Sequence, residues 1–240
     1  MPLSGKLKVL ASAVVLLAPI AFAPVHRAAE KPLRILWIGN SYTYVNELPK
    51  IISMLADSSH VERAPAITGI LKGGETLKGH WANPVVQNAF EEKWDIVVAQ
   101  EQSTTPIDAP DSMFKYGKLI ADAAHKSGAR VVLYVSWPQK TRPAAEDTIV
   151  AAYRKLGNAT NASLALAGRA WLDVIAQDPT VELYQKDGSH PLPQGSYIAA
   201  CVFYEVFFGK SPVGLPAIGV TAAEAKRAQL SAHKVLAAGK

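Results

Sequence analysis

Five short apolar runs limit what this chain can fold into. Residues 34–38, 66–71, 95–99, 130–136 and 162–167 are rich in Ile, Val, Leu and Ala and are bounded by glycine, proline or polar residues. Near-continuous apolar runs of this length read as strands covered on both faces. Helical segments separate them. Residues 48–56 place Leu48, Ile51, Ile52, Met54 and Leu55 at helical spacing, and residues 111–126 do the same with Met113, Tyr116, Ile120 and Ala123. Further helices are expected over 80–92, from Pro143 to about 156, over 194–208 and over 222–238, with one or two turns at 172–177. Strand and helix in alternation predict α/β architecture: a three-layer α/β/α sandwich on a five-stranded parallel sheet, formed as one domain over residues 30–240.

Composition agrees with that class. The chain has 240 residues, 49% hydrophobic and 19% charged, enough apolar material for one well-filled core and too much for a disordered chain. The formal charge is +5, but Lys6, Lys8 and Arg27 lie in the N-terminal stretch; without them 22 basic residues face 20 acidic ones. No run of five or more basic residues exists, so no nucleic-acid partner is expected. Cys201 is the only cysteine, which excludes an intramolecular disulfide framework and a Cys-based zinc site; its apolar surroundings read as a buried structural thiol.

The first 29 residues read as a targeting segment. Lys6 and Lys8 precede an uncharged run over 9–23, and Ala21-Phe22-Ala23 has the form of a cleavage site. Pro24 directly after that site leaves an uncleaved N-terminal anchor as the alternative, and with it the only expected membrane contact. Either way the domain is expected to be exported, to the periplasm or beyond.

In open parallel sheets ligands bind beyond the carboxyl ends of the strands, which directs attention to the residues after Ile38, Leu71, Ala99 and Ser136. Gly39-Asn40-Ser41 follows the first strand, where Ser41 fits either a nucleophile or a helix N-cap. One glycine there is too few for a dinucleotide loop, and no phosphate-binding loop follows, so no nucleotide cofactor is expected. Gly73-Gly74 follows the second strand and can bring bare backbone N–H groups to a ligand. Gln100-Glu101-Gln102 follows the third and offers side-chain amides to an oxyanion, or else forms a solvated loop. Far down the chain, Asp187-Gly188-Ser189-His190-Pro191 places a carboxylate three residues before an imidazole, as a general base needs, or forms a polar turn. His60, His80 and His125 lack ligand spacing, so no metal is expected. Trp37, Trp94 and Trp171 read as core, while Trp81 and Trp137, beyond strand ends, are candidate cleft walls.

Taken in order, Gly39-Asn40-Ser41, the Gly73-Gly74 loop, the strand-end amides and the block from Asp187 through His190-Pro191 to Gly209 and Pro212 resemble the SGNH (GDSL-like) hydrolase superfamily, in its form with Gly-Asn-Ser in place of Gly-Asp-Ser. The resemblance runs from about Leu33 to Pro212. It implies a flavodoxin-like three-layer fold and a cofactor-free serine esterase acting on a small-molecule or saccharide ester. By motif, Ser41 is the nucleophile, His190 the base and Asp187 its orienting acid. The Ser41 and Gly74 N–H groups match the oxyanion donors, with Gly73 adjacent. The family's third block departs here: its asparagine is replaced by Gln102, or by Gln100 two residues earlier, which an extended chain would put on the same face. A glycan-binding protein retaining the fold and an O-acyltransferase using the same residues are the alternatives.

Overall fold

The computed structural model describes residues 31–238 and Met1; the targeting segment inferred for residues 1–29 lies, Met1 apart, outside the described residues. The five strands are β1 (Leu33–Gly39), β2 (Pro65–Leu71), β3 (Ile96–Ala99), β4 (Arg130–Tyr134) and β5 (Ser163–Ala165). All pair in parallel, in the order β2-β1-β3-β4-β5. The helices are α1 (Ser41–Tyr44), α2 (Leu48–Ser58), α3 (Leu77–Trp81), α4 (Pro84–Ala89), α5 (Thr105–Asp108), α6 (Pro110–Lys126), α7 (Glu146–Thr160), α8 (Ala167–Gln177), α9 (Pro193–Phe208) and α10 (Ala222–Ala238). This is the expected α/β/α sandwich.

Alternation along each strand divides the core in two. Ile35, Trp37, Ile96, Val98, Val132 and Tyr134 face the layer built from α2, α8, α9 and α10. Leu36, Ile38, Val97, Ala99, Val131 and Leu133 face α3, α6 and α7. Each fully buried Leu, Ile or Val contributes roughly 1.5–3 kcal/mol over its exposed state. Helix α9 is apolar around nearly its whole circumference because it is packed between α2, α8 and α10 as well as the sheet. Cys201 lies in it, fully buried, and burial pushes its thiol far up. Among the described residues no helix is long and apolar enough to cross a membrane.

Two segments differ from expectation. The helix over 80–92 is two short ones, α3 and α4, because Asn83 caps a new start with its side chain and Pro84 occupies the first turn. The turn or two over 172–177 is the eleven-residue α8, beginning at Ala167. Gly168 does not stop the fifth strand; it lets α8 come close to β4, since a Cβ there would stand 2.5 Å from the Ser136 carbonyl oxygen.

That Cβ would also meet the Glu146 carboxyl, at 2.7 and 2.8 Å. Glu146 is 2% exposed, and burial pushes its carboxyl from 4.5 up to about 8, with Arg169 offsetting only part. The folded chain therefore holds this proton more tightly than the unfolded chain. Its contribution to stability is complete below pH 4.5 and is lost as the pH rises through about 8. Glu146→Gln, which mimics the protonated form, should gain on the wild type in melting temperature as the pH is raised from 5 to 9. A difference in Tm that is constant across that range would contradict this assignment.

Candidate functional site

The strand order reverses between β1 and β3, and the crevice beyond their carboxyl ends is the binding position in folds of this type. Gly39 ends β1 tightly against β3: a Cβ there would stand 2.5 Å from Gln100 Oε1. That oxygen accepts hydrogen bonds from Asn40 N (3.1 Å) and Thr43 Oγ1 (2.6 Å). Asn40 caps α1, its Oδ1 accepting from Tyr42 N at 3.2 Å, so Ser41 becomes the first residue of the helix. An amide at that position has no carbonyl partner within its own helix.

The second part of the site comes from the loop before α9. Tyr184 and Pro191 form an antiparallel bridge, Gln185 N donates to His190 O at 2.8 Å, and Gly188 takes the left-handed conformation (φ +67°) that closes the turn. Asp187 Oδ1 accepts from Ser189 N (2.9 Å) and His190 N (3.0 Å), while Oδ2 lies 2.5 Å from His190 Nδ1. The His190 ring and these backbone N–H groups hold the Asp187 carboxyl down at about 2. An ionised carboxylate only accepts, so Nδ1 carries the proton and Nε2 keeps its lone pair. Ser41 Oγ is 2.8 Å from that Nε2 and donates to it. The structure thus brings together Ser41, His190 and Asp187 across 149 residues of chain. A hydroxyl, an imidazole and a carboxylate in this order can deliver an alkoxide-like attack without a free alkoxide.

The helix and the loop are joined by aromatic packing. Tyr42 stacks on Trp137 (centroids 4.7 Å, 9° between planes), and Trp137 stacks on Trp171 (3.9 Å, 14°). Tyr42 Oη bonds Ser189 Oγ at 2.6 Å, and Trp137 Nε1 donates to Ser189 O at 3.0 Å. Trp137 is fully buried, and Trp81 packs against the core under α3. Neither lines the site, in contrast to expectation; stacking of Tyr42 and Trp171 on its two sides removes Trp137 from the cleft.

Ser41 and His190 open into a cavity of about 340 Å³, lined also by Asn40, Tyr44, Gly74, Gln102 and Gln139. Gly74 takes φ +66°, with open space where a Cβ would be. Gln102 and Gln100 are separated by the structure, not placed on one face. Gln100 is fully buried and spends its oxygen on the turn after β1. Gln102 lies at the cavity: its Oε1 accepts from Thr104 N (2.8 Å) and Thr105 N (3.1 Å), and its Nε2 is 3.2 Å from Ser103 Oγ. β3 ends at Ala99, and the two-residue period of a strand stops with it. Among the described residues no cluster of three or more His, Cys, Asp or Glu could hold a metal.

Asn40, in the sequence only the middle of Gly39-Asn40-Ser41, straps the site together. Its Nδ2 donates to Glu101 O (3.1 Å) and Glu75 O (3.4 Å). Two carbonyl acceptors explain an asparagine here, since an aspartate would face them with charge and no donor. Asn40→Asp should lower stability by about 1–3 kcal/mol or more, read by denaturant melts. Unchanged stability at pH 8 would contradict the strap.

No protein-family model matches the chain. No curated protein matches it either. Solved structures do. A protein from Slackia heliotrinireducens described as an SGNH hydrolase is 29% identical, with a TM-score of 0.60 over 73% of this chain and 99% of that one. A DUF4886 family protein from Bacteroides uniformis is 19% identical, with a TM-score of 0.67 over 87% of this chain and 95% of that one. An acetylxylan esterase from Geobacillus stearothermophilus, at 13% identity and a TM-score of 0.60, covers 80% of this chain and all of its own. With the sheet order, the position of Ser41 and the Asp187–His190 loop already described, these likenesses identify the chain as a member of the SGNH (GDSL-like) hydrolase superfamily.

Proposed function

We propose that this protein is an exported serine esterase that removes short acyl groups, acetyl foremost, from a hydroxylated alcohol such as a saccharide. The observation that carries the reading is the 2.8 Å contact of Ser41 Oγ with His190 Nε2 at the mouth of a cavity with no aliphatic side chain in its lining. The Tyr42 and Tyr44 rings are the apolar part of that lining, a small area for a long acyl chain to bury at roughly 25 cal/mol per Å². Amide, hydroxyl and backbone groups instead offer hydrogen bonds to a polar alcohol.

In this reading His190 Nε2 takes the Ser41 proton as Oγ attacks the ester carbonyl. Asp187 keeps the ring in the required tautomer and stabilises the imidazolium. The carbonyl oxygen, now carrying charge, is met by the Ser41 and Gly74 N–H groups and by Gln102 Nε2. His190 returns the proton to the departing alcohol. Water, deprotonated by the same nitrogen, then attacks the acyl-enzyme and frees the carboxylic acid and Ser41. Export rests on residues 1–29.

Kinetics on phenyl acetate and a panel of acetylated sugars test this. Ser41→Ala should fold normally and fall to background; retention of a tenth of the wild-type rate would remove Ser41 from its role. Asp187→Asn should cost about as much as His190→Ala or less. Gln102→Ala should lower kcat by ~10²–10³ with KM little changed. The same loss from an octanoyl ester as from acetate, with equal kcat/KM beforehand, would defeat the short-acyl assignment.

A further inference from the structure

Glu101 is 1% exposed and stands one residue before Gln102. Its side chain is not solvated, as a charged loop residue normally is. Its Oε1 accepts two backbone hydrogen bonds, from Gln102 N at 2.7 Å and from Leu77 N at 3.1 Å. Leu77 opens α3, three residues after Gly74. The Glu101 carbonyl oxygen accepts from Asn40 Nδ2 at 3.1 Å, and the Glu101 N–H donates to Tyr153 Oη at 3.2 Å. One residue thus contacts the turn that presents Ser41, the loop that carries Gly74 and the loop that carries Gln102.

We infer that Glu101 is a positioning residue whose carboxylate clamps the Gly74 loop to the Gln102 loop and so sets the spacing of the oxyanion donors. The inference rests on the proposed roles of Ser41, Gly74 and Gln102. An ionised oxygen accepting two N–H bonds holds both loops more firmly than a neutral acid does. Around it are the Glu75 carboxylate from the loop after β2, itself paired to Lys72, the Tyr153 hydroxyl from α7 and the Thr105 hydroxyl from α5. His80 of α3 lies on the Gly39 carbonyl, and burial disfavours its charged form. Burial pushes the Glu101 carboxyl from 4.5 up to about 7, against the pull of the two N–H groups. The clamp is therefore ionised above about pH 7 and weakens below it, so the loss of the Glu101 charge adds to the acid side of the rate profile.

The test compares wild type, Glu101→Ala, Glu101→Gln and Ser41→Ala, with folding checked by thermal melts. The readouts are phenyl acetate kinetics across pH 5–9 and the rate at which a fluorophosphonate labels the serine. Glu101→Ala should lower kcat at pH 8 and the labelling rate by about 10²-fold, with KM changed by less than about threefold. Glu101→Gln keeps an acceptor oxygen but cannot ionise; it should recover to within about tenfold of wild type. Its acid limb should fall with a slope of one in log kcat/KM against pH, where the wild type is steeper. If Glu101→Ala does not fold, the isosteric Gln variant and its acid limb decide. A Glu101→Ala rate close to wild type, a loss confined to KM, or superimposable acid limbs for wild type and Glu101→Gln would overturn the clamp. Activity that needs Ser41 but ignores Glu101 overturns the clamp alone; labelling or activity that survives Ser41→Ala overturns the nucleophile and the clamp with it.

Discussion

The tight meeting of the ends of β1 and β3 is the constraint on which the site depends. Gly39 has no room for a side chain because Gln100 Oε1 is already there, bonded to Asn40 N and to Thr43 Oγ1. That buried amide turns the chain sharply out of the sheet and into α1. Ser41 is left at the top of the sheet, on a rigid turn, with its amide at a helix start. A larger residue at 39 would push the two strands apart and misplace the serine by a distance that catalysis does not tolerate.

Around that turn the other parts are tied by polar bonds between distant segments. Asn40 reaches the loops after β2 and β3, Glu101 joins those two loops to each other, and Tyr42 with Trp137 holds Ser189 beside His190. The sheet supplies the scaffold and these bonds supply the alignment. They lie in a low-dielectric interior, where a satisfied network is rigid and a broken one is costly.

Much of this was legible beforehand. Near-continuous Val, Ile and Leu runs mark strands that helices cover on both faces, and they led to the five-stranded parallel sheet. Ser41, Asp187 and His190 could be singled out through the resemblance of their motifs taken in order; alone, each fitted a helix cap or a polar turn equally well. What could not be read depended on tertiary contacts. Gln100 and Gln102 look equivalent two residues apart, yet β3 has ended, and one is drawn into the β1 turn while the other caps α5 beside the cavity. Trp137 resembles a cleft residue until Tyr42 and Trp171 stack on it. Gly168 resembles a terminator until the closeness of α8 to the Ser136 carbonyl is seen. Glu101 resembles a solvated loop charge, because nothing local tells that two backbone amides converge on it.

The central claim is that an oxygen bearing the charge of the tetrahedral intermediate sits among Ser41 N, Gly74 N and Gln102 Nε2. A crystal structure of the protein phosphonylated on Ser41 would measure that directly, since the phosphoryl oxygen stands in for the oxyanion. The account predicts that this oxygen lies about 2.7–3.1 Å from all three donors, with His190 Nε2 turned toward the leaving-group side. A phosphoryl oxygen directed into solvent, or bonded to other groups while Gly74 and Gln102 remain apart from it, would contradict the account.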